Sequence, residues 1–199
     1  MNSKTNKLKY MYKFYLPIKK IGEKDWIGKL TDFLEEYDIE PEPLEDKELI
    51  KETEERFSWK MPEDMKMFYL KFGATESDDF LYNLKPLEEF SELSDLEWEY
   101  VTEYLDKDWI SNYIVFAESL SNDPIAINKE TNEIYLFSHD PLIYAKIYND
   151  FNDYILANLI DLQELLGDLE FSSEEDKLNF MSEMFSGDNI DYQFRNQKL

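Results

Sequence analysis

The sequence predicts an α+β fold in which a mainly antiparallel sheet packs against helices. Three observations carry this. Three short apolar runs, Tyr113 to Glu118, Pro124 to Asn128 and Glu133 to Ser138, are separated by turn-forming residues; sequential runs of this kind pair as a meander. Apolar residues recur at helical spacing before and after them, as in Met65, Phe68, Tyr69 and Phe72. Near the start, Leu8, Tyr10, Tyr12, Phe14, Leu16 and Ile18 alternate with Lys7, Lys9, Met11, Lys13 and Tyr15. A period of two marks a half-buried strand, and lysines on its outer face discourage edge pairing.

Residues 1–6 read as a loose start, followed by the alternating strand. Asp25 then fits an N-cap, and Trp26, Ile27, Leu30, Phe33, Leu34 and Tyr37 form a helical stripe that Pro41 and Pro43 end. The best-punctuated stretch is Glu48 to Gly73. Leu49, Ile50, Thr53 and Phe57 share one helical face, and Trp59 and Met61 follow. Pro62 opens a second helix, where a missing N–H costs nothing. Glu63 and Asp64 meet the positive end of its dipole, and Gly73 supplies the left-handed residue that stops it. Ile50, Phe57, Met65, Phe68 and Phe72 are the expected core.

After Gly73 comes the polar loop ATESDDF. Phe80 to Leu87 is expected as a short strand with Pro86 at its edge. Glu88 to Leu105 is expected as one helix, lined by Leu93, Leu96, Tyr100, Val101 and Tyr104, with Ser94 as its weak point. The meander follows. Tyr144 to Tyr148 leads into a helix capped by Asn149 or Asp150 and lined by Phe151, Tyr154, Ile155, Leu159, Leu162 and Leu166; Gly167 stops it. Ser172 with Glu175 has the spacing of a capping box for a last helix, with Leu178, Met181, Met184 and Phe185 as its stripe. The polar residues from 187 to 199 are expected to fray.

Composition limits the function. The hydrophobic share of 43% and aromatic share of 16% argue against general disorder. The absence of cysteine removes disulfides, thiolate metal sites and cysteine nucleophiles. No apolar run reaches the roughly 20 residues of a membrane span, and no signal-peptide core opens the chain, so a cytoplasmic location is expected. The net charge is −24, which repels nucleic acid and anionic membranes. It is uneven: residues 1–24 hold seven lysines against Glu23, a net of +6, so the remainder carries −30. Such a body suits a basic protein partner.

Catalytic signals are weak. His139 beside Asp140 has the residue types of an oriented general base, but a lone histidine at a strand end reads as structural or exposed. The sequence has no nucleophile elbow and no phosphate-binding glycine loop, and it holds only five glycines. Acidic clusters occur at Glu76, Asp78 and Asp79, and at Glu118 and Asp123. None has calcium-loop spacing, so no metal and no cofactor is expected. Trp98 and Trp109 lie among Glu97, Glu99, Asp106 and Asp108. Aromatic side chains in an acidic field suit a protein-binding hot spot. The candidate partner-binding residues are therefore Glu76, Asp78, Asp79, Glu97, Trp98, Glu99, Asp106, Asp108, Trp109, Glu118 and Asp123.

The Glu48–Gly73 stretch, with its apolar–Pro step, acidic first turn, aromatic stripe and terminal glycine, resembles the opening of the SMI1/KNR4-type domain of the SUKH superfamily. Met61 and Phe72 stand where that family usually has leucine and asparagine. Leu84, Pro86 and Leu87 resemble the segment that follows in the family. Tyr113 to Asp123 resembles its strand and turn, with Ser121, Asn122 and Asp123 in place of the usual glycine. Pro124 to Asp140 and Phe151 to Leu166 resemble its closing strands and helix, so the similarity runs from about Leu44 to Gly167. The resemblance implies a curved, mainly antiparallel sheet against helices. It implies a non-enzymatic protein, either an immunity protein that neutralises a cognate bacterial toxin (nucleases among them) or a regulatory adaptor. Residues 1–43 would be a strand–helix addition, 44–186 the domain and 187–199 a tail.

Overall fold

The computed structural model describes residues 15–41, 43–74, 84–95, 99–185, 187 and 189–199. The expected N-terminal strand lies mostly outside these residues, and its described end, 15–18, is not in a strand. Helix α1 spans Trp26–Glu35 and buries Trp26, Leu30, Phe33 and Leu34. Asp25 precedes it with φ 60° and makes no side-chain cap.

Helices α2 (Glu48–Arg56) and α3 (Glu63–Phe72) follow as expected. Pro62 occupies the N-cap of α3, and Gly73 ends it at φ 64°. All five expected core residues are buried. Phe68 stacks on Phe72 at 5.3 Å between ring centroids and meets Phe151 edge-on at 5.6 Å. This is the aromatic contact that seats α3 on the last helix of the family-like region.

The stretch expected as one helix from Glu88 is broken. A 3-10 turn at Leu87–Glu89 gives way to extended Phe90 and a two-residue strand, β1 (Ser91–Glu92). A second 3-10 turn covers Leu93–Asp95, and the short helices α4 (Glu99–Tyr104) and α5 (Lys107–Ile110) follow. Leu87, Phe90 and Leu93 are all buried. Their spacing of three fits tight turns over a sheet edge as well as it fits a helix. The expected strand from Phe80 is also absent over its described part. Leu84 makes only an isolated antiparallel bridge to Ala117.

The sheet continues with β2 (Tyr113–Glu118), β3 (Pro124–Asn128), β4 (Ile134–His139) and β5 (Leu142–Tyr148). The order is β1-β2-β3-β4-β5 with every pairing antiparallel. The meander thus has one more strand than expected, because Tyr144 to Tyr148 pairs with β4 rather than starting a helix. One face of the sheet carries Ile114, Phe116, Ile125, Ile127, Ile134, Leu136 and Ile147 into the main core. That core is closed by α1, α2, α3 and helix α6 (Phe151–Leu165). The other face carries Tyr113, Val115, Ala126 and Phe137 into a smaller core with Leu93, Val101 and Ile110.

Residues 15–41 share the main core rather than forming a separate unit, since Ile18, Ile21 and Trp26 belong to it. Asn152 accepts a hydrogen bond from the Ile21 amide at 2.8 Å, and its own amide donates to Asp64 at 3.1 Å. One short chain of bonds therefore joins the N-terminal segment, α6 and α3. Asp150 caps α6 by accepting from the Asp153 amide. Helix α7 (Glu174–Met184) is capped one residue later than expected, by Ser173 accepting from Asp176 N–H, and it buries Phe180 and Met181. Met184 is partly exposed.

The expected frayed tail is a correction. Residues Tyr192–Lys198 form helix α8, with Asp191 as a side-chain N-cap. Phe194 and Arg195 are buried. The Arg195 Nε donates to the Tyr148 hydroxyl at 2.8 Å, and its terminal nitrogen pairs with Asp161. Burial works against that charge, but Asp161 and Tyr148 outweigh it and raise the Arg195 pKa. Burial pushes the Tyr148 hydroxyl up to about 12, while Arg195 pulls the other way. The Asp191 amide donates to the Lys146 carbonyl, and Lys198 Nζ donates to the Asp140 carbonyl. The helix thereby lies beside edge strand β5 and shields it from strand addition.

Candidate functional site

The sequence-derived candidates separate into groups. Glu76, Asp78, Asp79, Glu97 and Trp98 lie outside the described residues. Glu99 opens α4. Asp106, Asp108 and Trp109 come together on and before α5. Asp106 Oδ1 accepts from the Trp109 amide at 3.0 Å, so its carboxylate starts the helix while staying exposed. Asp108 is exposed, and its carbonyl accepts from Ser111 and Asn112.

Trp109 is half-buried and lies over the outer face of the sheet. Its ring centroid is 4.9 Å from Tyr113, 6.0 Å from Phe137 and 4.8 Å from Tyr144. Phe137 is fully buried and stacks on Tyr144 at 5.6 Å, whereas Tyr144 is 44% exposed. Tyr144 was missed from sequence because the stretch containing it was read as the approach to a helix. The signal that finds it is the alternation Leu142, Tyr144, Lys146, which only a strand places on one face.

Glu118 and Asp123 do not join this group. Glu118 Oε1 is held by Lys85 Nζ at 2.7 Å and is half-buried. Asp123 is fully buried, so it is corrected from surface contact to structural residue. It closes the β2–β3 turn: its amide donates to Ser119 Oγ at 3.1 Å, and its carbonyl accepts from Ser119 N–H at 2.8 Å. Asn122 takes the left-handed position at φ 60° that a glycine would otherwise fill.

Asp123 Oδ1 also accepts from the His139 amide at 2.9 Å and contacts His139 Nδ1. His139 therefore pairs with Asp123 across the sheet. The pair fastens the β2–β3 turn to the end of β4. It orients the imidazole, and the adjoining Ser138 is buried on the opposite side of the strand from Phe137. Among the described residues, no group of three or more His, Cys, Asp or Glu side chains converges as a metal site. Among the described residues, no helix is long and apolar enough to cross a membrane.

Near the start of α6, burial raises the pKa values of Asp64 and Asp153, with Asp150 adding like-charge repulsion to both. Elsewhere carboxylates are lowered by partners, as Glu133 is by Lys146 at 2.6 Å. Lys146 and Glu133 thus neutralise each other beside the aromatic group.

Comparison with known proteins agrees with this architecture. No curated protein and no solved structure matches the chain. The sequence profile of the SMI1 / KNR4 family (SUKH-1) matches residues 45–157, which cover α2, α3, the whole sheet and the first half of α6. That span is more than half of the chain, and the open antiparallel sheet packed on helices is the α+β arrangement expected of such a domain. By this match the chain belongs to the SMI1/KNR4 family (SUKH-1).

Proposed function

We propose that this protein is a non-enzymatic immunity protein that binds a cognate bacterial toxin domain and blocks it. The observation that carries the reading is the conjunction of SUKH-1 membership with a net charge of −24. Such a surface attracts a basic partner over several ångströms and speeds encounter, which matters where free toxin is lethal. Nuclease toxins are basic because they bind nucleic acid, so an acidic inhibitor competes for the same cationic groove.

The contact surface in this reading includes Asp106, Asp108 and Trp109, which are available on the outer side of the sheet. Glu99 and the acidic residues Glu76, Asp78, Asp79 and Glu97, together with Trp98, extend it in sequence. The test is co-expression with the toxin-like proteins encoded beside this gene. Protection from one of them, with a purified one-to-one complex, supports the reading. No protection and no binding with any of them overturns it, and capture of several housekeeping proteins points to a regulatory adaptor instead.

A further inference from the structure

We propose that Trp109 and Tyr144, flanked by Asp106 and Asp108, form a receptor for an arginine side chain carried by a basic protein partner. The inference rests on the partner-binding reading above and gives it an address. Four observations support it.

First, the aromatic stack on the outer sheet face is unfinished. Tyr113 and Phe137 are buried, but the outermost ring, Tyr144, is 44% exposed. Trp109 leans over it at 4.8 Å with 48° between the ring planes. Second, the exposed charges on α5 and at its cap are Asp106, Lys107 and Asp108, which are acidic on balance. Among the described residues, neither Asp106 nor Asp108 has a cation within salt-bridge distance. Third, Lys146, which shares the outer face with Tyr144, is paired with Glu133 at 2.6 Å and so does not compete. Fourth, the same recognition already occurs inside the molecule. The Arg195 guanidinium lies 5.4 Å from the Tyr148 ring centroid while paired with Asp161.

The chemistry favours arginine over lysine. A guanidinium is planar, so it stacks on an aromatic face while its N–H groups remain in plane to meet carboxylates. A compact, strongly hydrated ammonium does both at a higher desolvation cost and without the planar stack. The charge of −24 also disfavours a second copy of this chain or an anionic membrane at the same place.

The test uses the full chain and two probes, a blocked decapeptide of alternating glycine and arginine and its lysine counterpart, at matched ionic strength. The arginine peptide is expected to shift the Trp109 indole and the β5 amides near Tyr144 in NMR spectra, and to bind about threefold or more tighter than the lysine peptide. Tyr144→Ser combined with Asp108→Asn is expected to weaken it about tenfold, while the loss of the Tyr144 stack on Phe137 lowers the melting temperature by only about 2–4 °C. Equal binding of both peptides, shifts spread over the acidic surface, or undiminished binding by the double variant would overturn the receptor. The toxin separates the two levels. If a neighbouring toxin binds wild type and the double variant equally, the receptor assignment falls and the immunity reading stands. If the peptide footprint appears but no toxin binds, the receptor stands and the immunity reading falls.

Discussion

Replacing Arg195 with alanine tests whether the C-terminal helix is part of the fold. The side chain is 1% exposed and holds three things at once: the Tyr148 hydroxyl at 2.8 Å, the Asp161 carboxylate, and Asn196 Oδ1 at 2.9 Å. Removing one partner of a buried ion pair costs about 3–5 kcal/mol, because the other charge is left unpaired. Here the penalty is smaller. The Asp161 side chain is 34% exposed, and Lys177 Nζ already lies 3.7 Å from it. Water and Lys177 therefore take over part of the compensation. A loss of about 2–3 kcal/mol is expected after that screening. For a chain of this size the melting temperature should fall by roughly 4–12 °C. Thermal unfolding followed by circular dichroism measures it. Asp161→Ala in the Arg195→Ala background should cost less than Asp161→Ala alone, because the two residues are coupled. A change below about 1 °C for Arg195→Ala would refute the reasoning and return residues 187–199 to a loose tail.

Two further outcomes follow from the packing. Phe68 is fully buried between Phe72 and Phe151, so Phe68→Ala should cost about 3–5 kcal/mol in denaturant unfolding; a loss under about 1 kcal/mol would mean that α3 is not the centre of the core. Burial raises the Asp153 pKa in the folded state, so this group's contribution to stability is fully present below the unfolded pKa and is lost as pH rises through the folded pKa. Asp153→Asn should therefore gain in stability relative to wild type as pH rises from 4 to 7, and an opposite slope in pH-dependent unfolding would contradict the assignment.

Much of the fold could be read from local signals. Helix α3 carries its start, stripe and stop within Pro62–Gly73, and its expected core residues Met65, Phe68 and Phe72, like Ile50 and Phe57 on and after α2, needed no tertiary information. Strands β2, β3 and β4 were legible because turn residues bound each apolar run. The errors arose where tertiary structure decides. Leu93, Val101 and Tyr104 keep helical spacing, yet the chain from Leu87 to Asp95 makes 3-10 turns and pairs briefly with β2. Strand β5 was hidden because LIYAKIY carries apolar residues at successive positions, so the alternation ending in Lys146 is faint in the sequence. Arg195 gave no local hint, since Asp161 and Tyr148 lie 34 and 47 residues away.

The candidate site was legible only in part for the same reason. Asp106, Asp108 and Trp109 were found because the tryptophan closely follows two carboxylates in an acidic stretch. Asp123 was misread as a surface acid, since a turn position predicts exposure and its burial depends on His139, 16 residues on. Tyr144 joins Trp109 only through the pairing of β4 with β5.

The central claim is that an acidic SUKH-1 protein captures a basic partner. The most direct measurement is the association rate between the purified full chain and the toxin domain encoded beside it, taken at stepped salt concentrations. The account predicts a one-to-one complex that silences the toxin, with an association rate that falls at least about tenfold between 0.05 and 0.5 M salt. A complex whose association rate does not change with salt, or no complex at all, would contradict it.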